Sequence, residues 1–228
     1  MISIISPLVI LDQKLFETTK QFLLDIRAGL LPGDEIIIVD NGSTVDMTEL
    51  IKMCDIYVKI PKPIGYGGAM NIGAKISKAD YIIFANNDMR VGPDWAQQTL
   101  EKFNSDPKIG IVSCHGQHMI PSTGTAFNGI FWAVRKEVIA QIGYFDILYP
   151  REGDDSDFCL RAVAAGWEIN TAEFFYEHPE RKSTHNQVSF DKLLEGSLQW
   201  KCKKFHEKWG FNEINWYREG LKLRNNNI

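Results

Sequence analysis

The sequence predicts an α/β protein: a mostly parallel central sheet with helices on both faces and a helical C-terminal appendage. Three observations predict it. Strand-like and helix-like segments alternate through the first half of the chain, as crossover connections between parallel strands require. The strand-like segments are nearly continuous apolar runs, such as Tyr81-Ile82-Ile83-Phe84-Ala85, which suits strands buried on both faces. Polar and acidic residues follow these runs, at Asp40-Asn41-Gly42-Ser43 and Asn86-Asn87-Asp88. In such sheets the carboxyl ends of the strands form the rim where ligands bind.

Each element has its own signal. Ile2 to Ile10 is an apolar strand that Ser6-Pro7 should interrupt. Leu15, Phe16, Thr19, Phe22, Leu23 and Ile26 recur at helical spacing between Lys14 and Leu30, and Pro32-Gly33 ends that helix. Glu35 to Val39 is a second buried strand, Met47 to Cys54 a short helix, and Ile56 to Ile60 a third strand. Gly65 to Ser77 begins rich in glycine and becomes helical. Tyr81 to Ala85 is the fourth strand. Pro93 opens a helix reaching about Asn104. Ile109 to Cys114 is the fifth strand. Thereafter Thr125 to Val134 reads as a strand, Lys136 to Ile142 as a helix and Tyr144 to Asp157 as an acid-rich loop. Phe158 to Ala165 is helical, Trp167 to Ala172 a strand and Phe174-Phe175-Tyr176 a short aromatic strand. From Phe190 onward Leu193, Leu194, Leu198, Trp200, Phe205 and Trp209 give a helical pattern. The expected division is one domain over residues 1–188, with 189–228 a helical extension packed on it.

Bulk composition narrows the function classes. The 228 residues are 44% hydrophobic and 24% charged, which is the balance of a globular chain and excludes disorder. A net charge of −4 gives no reason to expect nucleic acid as a partner. Cys54, Cys114, Cys159 and Cys202 form no CxxC pair, so reduced thiols are expected and a structural zinc site is not. No apolar run has the length of a membrane span. The N-terminus lacks a basic n-region. A cytoplasmic protein is expected, with a substrate that is free to lie on a membrane.

Several clusters carry chemistry. Asn86, Asn87 and Asp88 put oxygen donors at a strand end, which suits a hard cation such as Mg²⁺ or Mn²⁺ and, through it, a diphosphate; the competing reading is a plain polar turn. Asp40 shares that rim, where a carboxylate accepts from a base N–H or a ribose hydroxyl, although Asp40-Asn41-Gly42-Ser43 is also a good turn. Gly67 and its neighbours in Gly65-Tyr66-Gly67-Gly68-Ala69-Met70-Asn71 allow close backbone approach, and a helix N-terminus favours phosphate. The acids of Glu152-Gly153-Asp154-Asp155-Ser156-Asp157 exceed what helix capping requires. A cation or a polar substrate would relieve their repulsion, and one of them would suit a general base. His178 offers an imidazole for a borderline metal, or a structural hydrogen bond.

In this order the pieces resemble the inverting glycosyltransferases of family 2, which have the GT-A nucleotide-diphospho-sugar transferase fold. The matching segments are Ile36 to Thr44, Gly65 to Gly73, Asn86-Asn87-Asp88, Gly143-Tyr144-Phe145-Asp146, Asp154 to Arg161, and His178. The rhamnosyl- and galactofuranosyl-transferase-like branch is the most similar. The resemblance implies a metal-dependent hexosyl transfer from a UDP- or dTDP-sugar to a hydroxyl of a saccharide or glycoconjugate, in polysaccharide biosynthesis. It implies nucleotide-sugar contacts at Pro7, Asp40, Gly67, Asn71, Asn86, Asn87 and Asp88. It further implies Mn²⁺ or Mg²⁺ at Asp88 and His178, and Asp155 as the base that deprotonates the acceptor. Trp132, Asp154 and Arg161 are implied for the acceptor or sugar pocket, Trp132 to stack on a sugar and Arg161 to order the acidic loop. Two positions depart from the family pattern: Asn86 stands where an aspartate is usual, and Ser6-Pro7-Leu8-Val9 stands in place of Pro-Thr-Tyr-Asn. Those departures support an alternative, a sugar-nucleotide-binding protein without catalysis. A nucleotidyltransferase is disfavoured because residues 6–14 hold no glycine- and arginine-rich loop. Residues 201–209 mix cations with aromatics. They are expected to pack the aromatics on the domain or a partner subunit and leave the lysines in water; contact with an anionic membrane is the other reading.

Overall fold

The computed structural model describes residues 1–114, 119–120, 125–126, 129–149, 153–178, 204–211 and 216–226. Its centre is a seven-stranded sheet in the order β10-β6-β9-β4-β1-β2-β3. The strands are β1 (Ile2–Leu8), β2 (Glu35–Asp40), β3 (Ile56–Lys59), β4 (Tyr81–Ala85), β6 (Ile109–Cys114), β9 (Phe131–Arg135) and β10 (Glu168–Ala172). β9 runs antiparallel to both neighbours, β4 and β6, and every other pairing is parallel. Two small ribbons lie outside the sheet. One pairs β5 (Arg90–Val91) with β11 (Tyr176–Glu177), the other β7 (Met119–Ile120) with β8 (Thr125–Ala126).

Alternation along each strand divides the core in two. Ile4, Ile36, Ile38 and Ile83 face α1 (Gln13–Ala28) and α4 (Trp95–Ser105) with Phe16, Phe22, Trp95 and Phe103. Ile5, Ile37, Val39, Ile82 and Phe84 face α3 (Tyr66–Ile76), α5 (Lys136–Ile142) and α6 (Asp154–Ala164) with Met70, Val138 and Phe158. Period-two side chains that are apolar on both faces require a sandwiched sheet. Each fully buried Ile or Phe stabilises it by roughly 1.5–3 kcal/mol. Glycine permits the closest contact: a Cβ at Gly73 of α3 would overlap Cγ2 of Ile5 on β1.

Three sequence expectations are corrected. Ser6-Pro7 does not interrupt β1. The Leu8 carbonyl accepts from Asn41 N–H on the β2 side, so by alternation Pro7 points to the β4 side, where pairing ends at Ile5. Thr125 to Val134 is not one strand, since Thr125–Ala126 pairs with Met119–Ile120 while Phe131–Arg135 enters the sheet. The segment Asp154 to Asp157 is not loop but the first turn of α6, which follows Gly153 in the left-handed region (φ 88°). Acids are favoured there because the first N–H groups of a helix lack intrahelical acceptors.

Near the C-terminus, 204–209 is helical and Trp216–Asn226 forms a last helix. Phe205 is fully buried with Tyr149 and Leu160, and Gly220 lies against Val163 of α6. The helical pattern expected over 190–203 lies outside the described residues. Among the described residues no helix is long and apolar enough to cross a membrane.

Candidate active site

The three residues after β4 go to different partners. Asn86 N–H donates to the Ile130 carbonyl at 2.8 Å. The Asn87 side chain turns to α1, donating to Thr19 Oγ1 at 2.7 Å in a buried contact. Asp88, 4% exposed, puts Oδ1 3.1 Å from Nε2 of His178. The β5–β11 ribbon explains this last meeting. Tyr176 pairs with Val91 and Glu177 with Arg90, so the next residue, His178, arrives beside Asp88. Arg90 is in turn ion-paired with Asp25 of α1, and Gly92 N–H donates to the Phe175 carbonyl at 2.7 Å.

The acid-rich turn opens α6 with a division of labour. Asp155 is half-buried; its Oδ1 accepts from Ser156 N–H at 2.8 Å, and its Oδ2 lies against Gly129. Asp154 is buried, and its Oδ2 would stand 3.2 Å from a Cβ at Gly67, so glycine there lets α3 approach α6. Asp157, fully buried, accepts from Arg161 Nε at 2.9 Å, Trp209 Nε1 at 2.8 Å and Lys208 Nζ at 2.7 Å. Lys208 also reaches Asp146 at 2.6 Å. Burial works against ionisation of Asp146, yet Lys208, the Leu148 N–H and Arg161 hold its carboxyl below the usual range. Lys208 stays exposed to solvent while its ammonium neutralises two acids.

Tyr66, the first residue of α3, ties these parts together. Its hydroxyl is buried and has no hydrogen-bond partner among the described residues, and its ring packs edge-on to Phe145 at 6.5 Å. Burial, then the charges of Asp154, Asp155 and Asp88, push its phenol well above the ordinary value and keep it protonated. Carboxylates 66 and 67 residues apart in sequence thus act on one buried oxygen.

Asp40 is fully buried at the end of β2. Oδ1 accepts from Gly42 N–H at 3.2 Å and Ser43 N–H at 2.7 Å; Oδ2 accepts from Tyr57 OH at 2.6 Å, with Lys59 Nζ 4.0 Å away. Burial and the hydrogen bond to Asp40 raise the Tyr57 phenol. The next residue, Asn41, accepts from Ile64 N–H at 2.9 Å and donates to the Gly65 carbonyl at 3.2 Å. Residues 64–67 therefore join the Asp40 turn at one end to the acid centre at the other.

Most of the remaining sequence candidates have their side chains engaged with the protein itself. The Asn71 amide is committed to Phe145, donating to its carbonyl and accepting from its N–H, each at 2.9 Å. Trp132, expected to stack on a sugar, is fully buried, with Phe84 at 4.8 Å, Phe158 at 5.4 Å and Phe145 at 5.7 Å. Period-two alternation on β9 sends it to the face covered by α3, α5 and α6 along with Val134. Asn87 turns to α1. Arg161 orders the acidic turn, donating to Asp157 and to the Ile142 and Tyr144 carbonyls at 2.7 and 3.0 Å. Pro7 lies within β1. Sequence reasoning passed over Tyr57, Tyr66 and Asp157. Tyr66 had a signal, since it is the only large side chain in Gly65-Tyr66-Gly67-Gly68.

A carboxylate oxygen and an imidazole nitrogen side by side fit a Mn²⁺-like cation. Asn86 adds no third acid, and among the described residues no group of three or more His, Cys, Asp or Glu side chains gathers. The pair fits a cation that draws its other ligands from a diphosphate and water.

Comparison with known proteins agrees with the fold. The sequence profile described as Glycosyl transferase family 2 matches residues 15–159. A poly-beta-1,6-N-acetyl-D-glucosamine synthase of Staphylococcus aureus (strain COL) is 23% identical over 186 residues, covering 68% of this chain and 43% of the synthase. The synthase of Staphylococcus epidermidis is 21% identical over 197 residues, covering 72% of this chain and 45% of its own length. The chain thus spans less than half of the curated relatives it matches. Among solved structures, the mannosyltransferase PcManGT from Pyrobaculum calidifontis in complex with GDP-Man and Mn²⁺ superimposes with a TM-score of 0.67. That match has 16% identity over 99% of this chain and 73% of PcManGT. S. aureus TarS 1–349 in complex with UDP-GlcNAc gives a TM-score of 0.62 at 14% identity, over 78% of this chain and 60% of TarS 1–349.

Proposed function

The chain belongs to glycosyl transferase family 2 and has the GT-A fold, and from that premise we propose that it moves a sugar from a nucleoside-diphosphate donor to a hydroxyl of a saccharide or glycoconjugate, inverting the anomeric centre. The observation that carries this reading is Asp88, at the carboxyl end of β4, held 3.1 Å from His178 Nε2, with the half-buried Asp155 in the first turn of α6. The ligands of the two structural neighbours, GDP-Man with Mn²⁺ and UDP-GlcNAc, support the donor class.

Each residue has a part. The nucleoside lies at the Asp40 turn, bordered by Tyr57 and Lys59. Asp88 and His178 hold a divalent cation, which when bound offsets the negative charge of the departing diphosphate. Asp155 removes the proton of the acceptor hydroxyl as its oxygen attacks the anomeric carbon, and the nucleoside diphosphate leaves from the opposite side. Asp155 suits the role because it is only half-buried and its Oδ1 is fixed by Ser156 N–H. Asp157, Arg161, Lys208 and Trp209 hold the helix turn that presents it. Residues 1–188 form the catalytic unit and 189–228 an extension packed on it, a division supported by the burial of Phe205 and the seat of Gly220 on α6.

The test is Asp155→Asn, assayed by release of nucleoside diphosphate from UDP-, dTDP- and GDP-sugars with and without Mn²⁺. Transfer should fall by about 10²–10⁴-fold, while donor binding and melting temperature hold. Undiminished transfer in that variant overturns the assignment. Asn86, in place of an acid, favours one competing reading, a sugar-nucleotide-binding protein without turnover. Mn²⁺-dependent donor binding with no product across a broad acceptor panel would select it.

A further inference from the structure

Two neighbours far apart in sequence set the carboxylate of Asp155. Ser156 N–H donates to Oδ1 at 2.8 Å, and Gly129 lies against Oδ2. A β-carbon at 129 would overlap Oδ2, while it would meet Cγ at 3.4 Å and Cβ at 3.8 Å, both ordinary contacts. The space that glycine leaves at 129 is therefore filled by one oxygen of the carboxylate assigned as base. Backbone conformation does not demand glycine there, since Gly129 lies outside the left-handed region in which other residues are strained.

The backbone at 129 has little freedom to retreat from a new side chain. The carbonyl of the next residue, Ile130, accepts from Asn86 N–H at 2.8 Å, and Phe131 pairs with Ala85 as β9 enters the sheet. Phe131 is itself buried, edge-on to Trp95 and Phe174. Asp155 is half-buried at the opening of α6, so its carboxylate is the part that gives. Restoring van der Waals separation moves Oδ2 by about 1 Å, and the same rotation carries Oδ1 off the Ser156 N–H. A base tolerates little of this, since a misplacement of about 1 Å costs on the order of 10²-fold in rate. The geometry points to Gly129 as a positioning residue for transfer: by withholding a side chain it holds the Asp155 carboxylate in the orientation that meets the acceptor hydroxyl. The inference rests on the transferase reading above and adds what aims its base.

Gly129→Ala tests it. The melting temperature should stay within about 2 °C of wild type, because only the end of a half-buried side chain has to move. Affinity for UDP and GDP with Mn²⁺, measured by calorimetry, should hold within about twofold. Turnover is read as release of nucleoside diphosphate from UDP-, dTDP- and GDP-sugars over a panel of saccharide acceptors. Its kcat should fall by about 10–10²-fold, with the donor KM within about twofold of wild type. A kcat within about twofold of wild type overturns the assignment, and so does a loss carried by donor KM or by nucleotide affinity. Should the variant melt more than about 2 °C lower, Gly129→Ala combined with Asp155→Ala decides. A melting temperature equal to that of Asp155→Ala alone puts the contact on the carboxylate and upholds the assignment; one that stays lower overturns it. Those failures leave the transferase reading in place. A wild-type protein that releases no nucleoside diphosphate removes both.

Discussion

Removing the Asn71 side chain separates structural support from ligand contact. Asn71 is 7% exposed and forms a two-bond pair with the backbone of Phe145 across 74 residues of sequence. Asn71→Ala strands one buried N–H and one buried carbonyl. Each orphaned group costs about 1–3 kcal/mol, so roughly 1.5 kcal/mol apiece gives a gross loss of about 3 kcal/mol. Alanine is a better helix former than asparagine by about 0.6 kcal/mol, which leaves a net loss near 2.5 kcal/mol. In a chain of this length each kcal/mol moves the melting temperature by about 2–4 °C, so the variant should melt about 5–10 °C lower. Calorimetric scans and titration with UDP and GDP are the assays. Nucleotide affinity should survive at temperatures where the variant is folded, because both ends of the amide are already spoken for by Phe145. A variant that melts within about 1 °C of wild type yet loses nucleotide affinity refutes the reasoning and returns Asn71 to the ligand.

Two further outcomes follow from packing and burial. Gly73→Ala should lower stability by about 1–2 kcal/mol despite the gain in helix propensity, because the new methyl overlaps Cγ2 of Ile5; combining it with Ile5→Ala, which removes that carbon, should cost less than the sum of the two single changes, and simple additivity in urea unfolding would contradict this. Burial raises the Cys114 thiol from 9.0 to about 12, so the native state keeps a proton that the unfolded chain releases. That advantage is full below pH 9 and fades as pH rises toward 12, by up to about 1.4 kcal/mol per pH unit. Unfolding free energies at pH 8, 9.5 and 10.5 should decline, and Cys114→Ala should decline less steeply; identical slopes would rule out the linkage.

How much was legible in the sequence depended on how each element is stabilised. Tyr81–Ala85 and Lys136–Ile142 were read with their true bounds because length and apolar pattern define them. The β5–β11 ribbon was not legible as a pairing. Two residues per strand carry no periodicity, and only tertiary contact brings Tyr176 to Val91. That ribbon is what carries His178 to Asp88, so the residue types were readable and their meeting was not. The acidic turn misled for a different reason. Asp154 to Asp157 look like solvated loop until helix N–H groups and the cations Arg161 and Lys208 are set against them. Trp132 misled because an aromatic on a strand is equally fit for a sugar or for a core, and only its neighbours on the sheet decide.

Asp157 ties the acidic turn to a remote part of the sequence. Its charge is balanced by Arg161, four residues away, and by Lys208, about fifty residues further on, while Trp209 Nε1–H donates one more hydrogen bond. The turn carrying Asp155 therefore draws part of its support from a distant stretch of chain, and a change at 208 or 209 is transmitted to the first turn of α6 through one carboxylate.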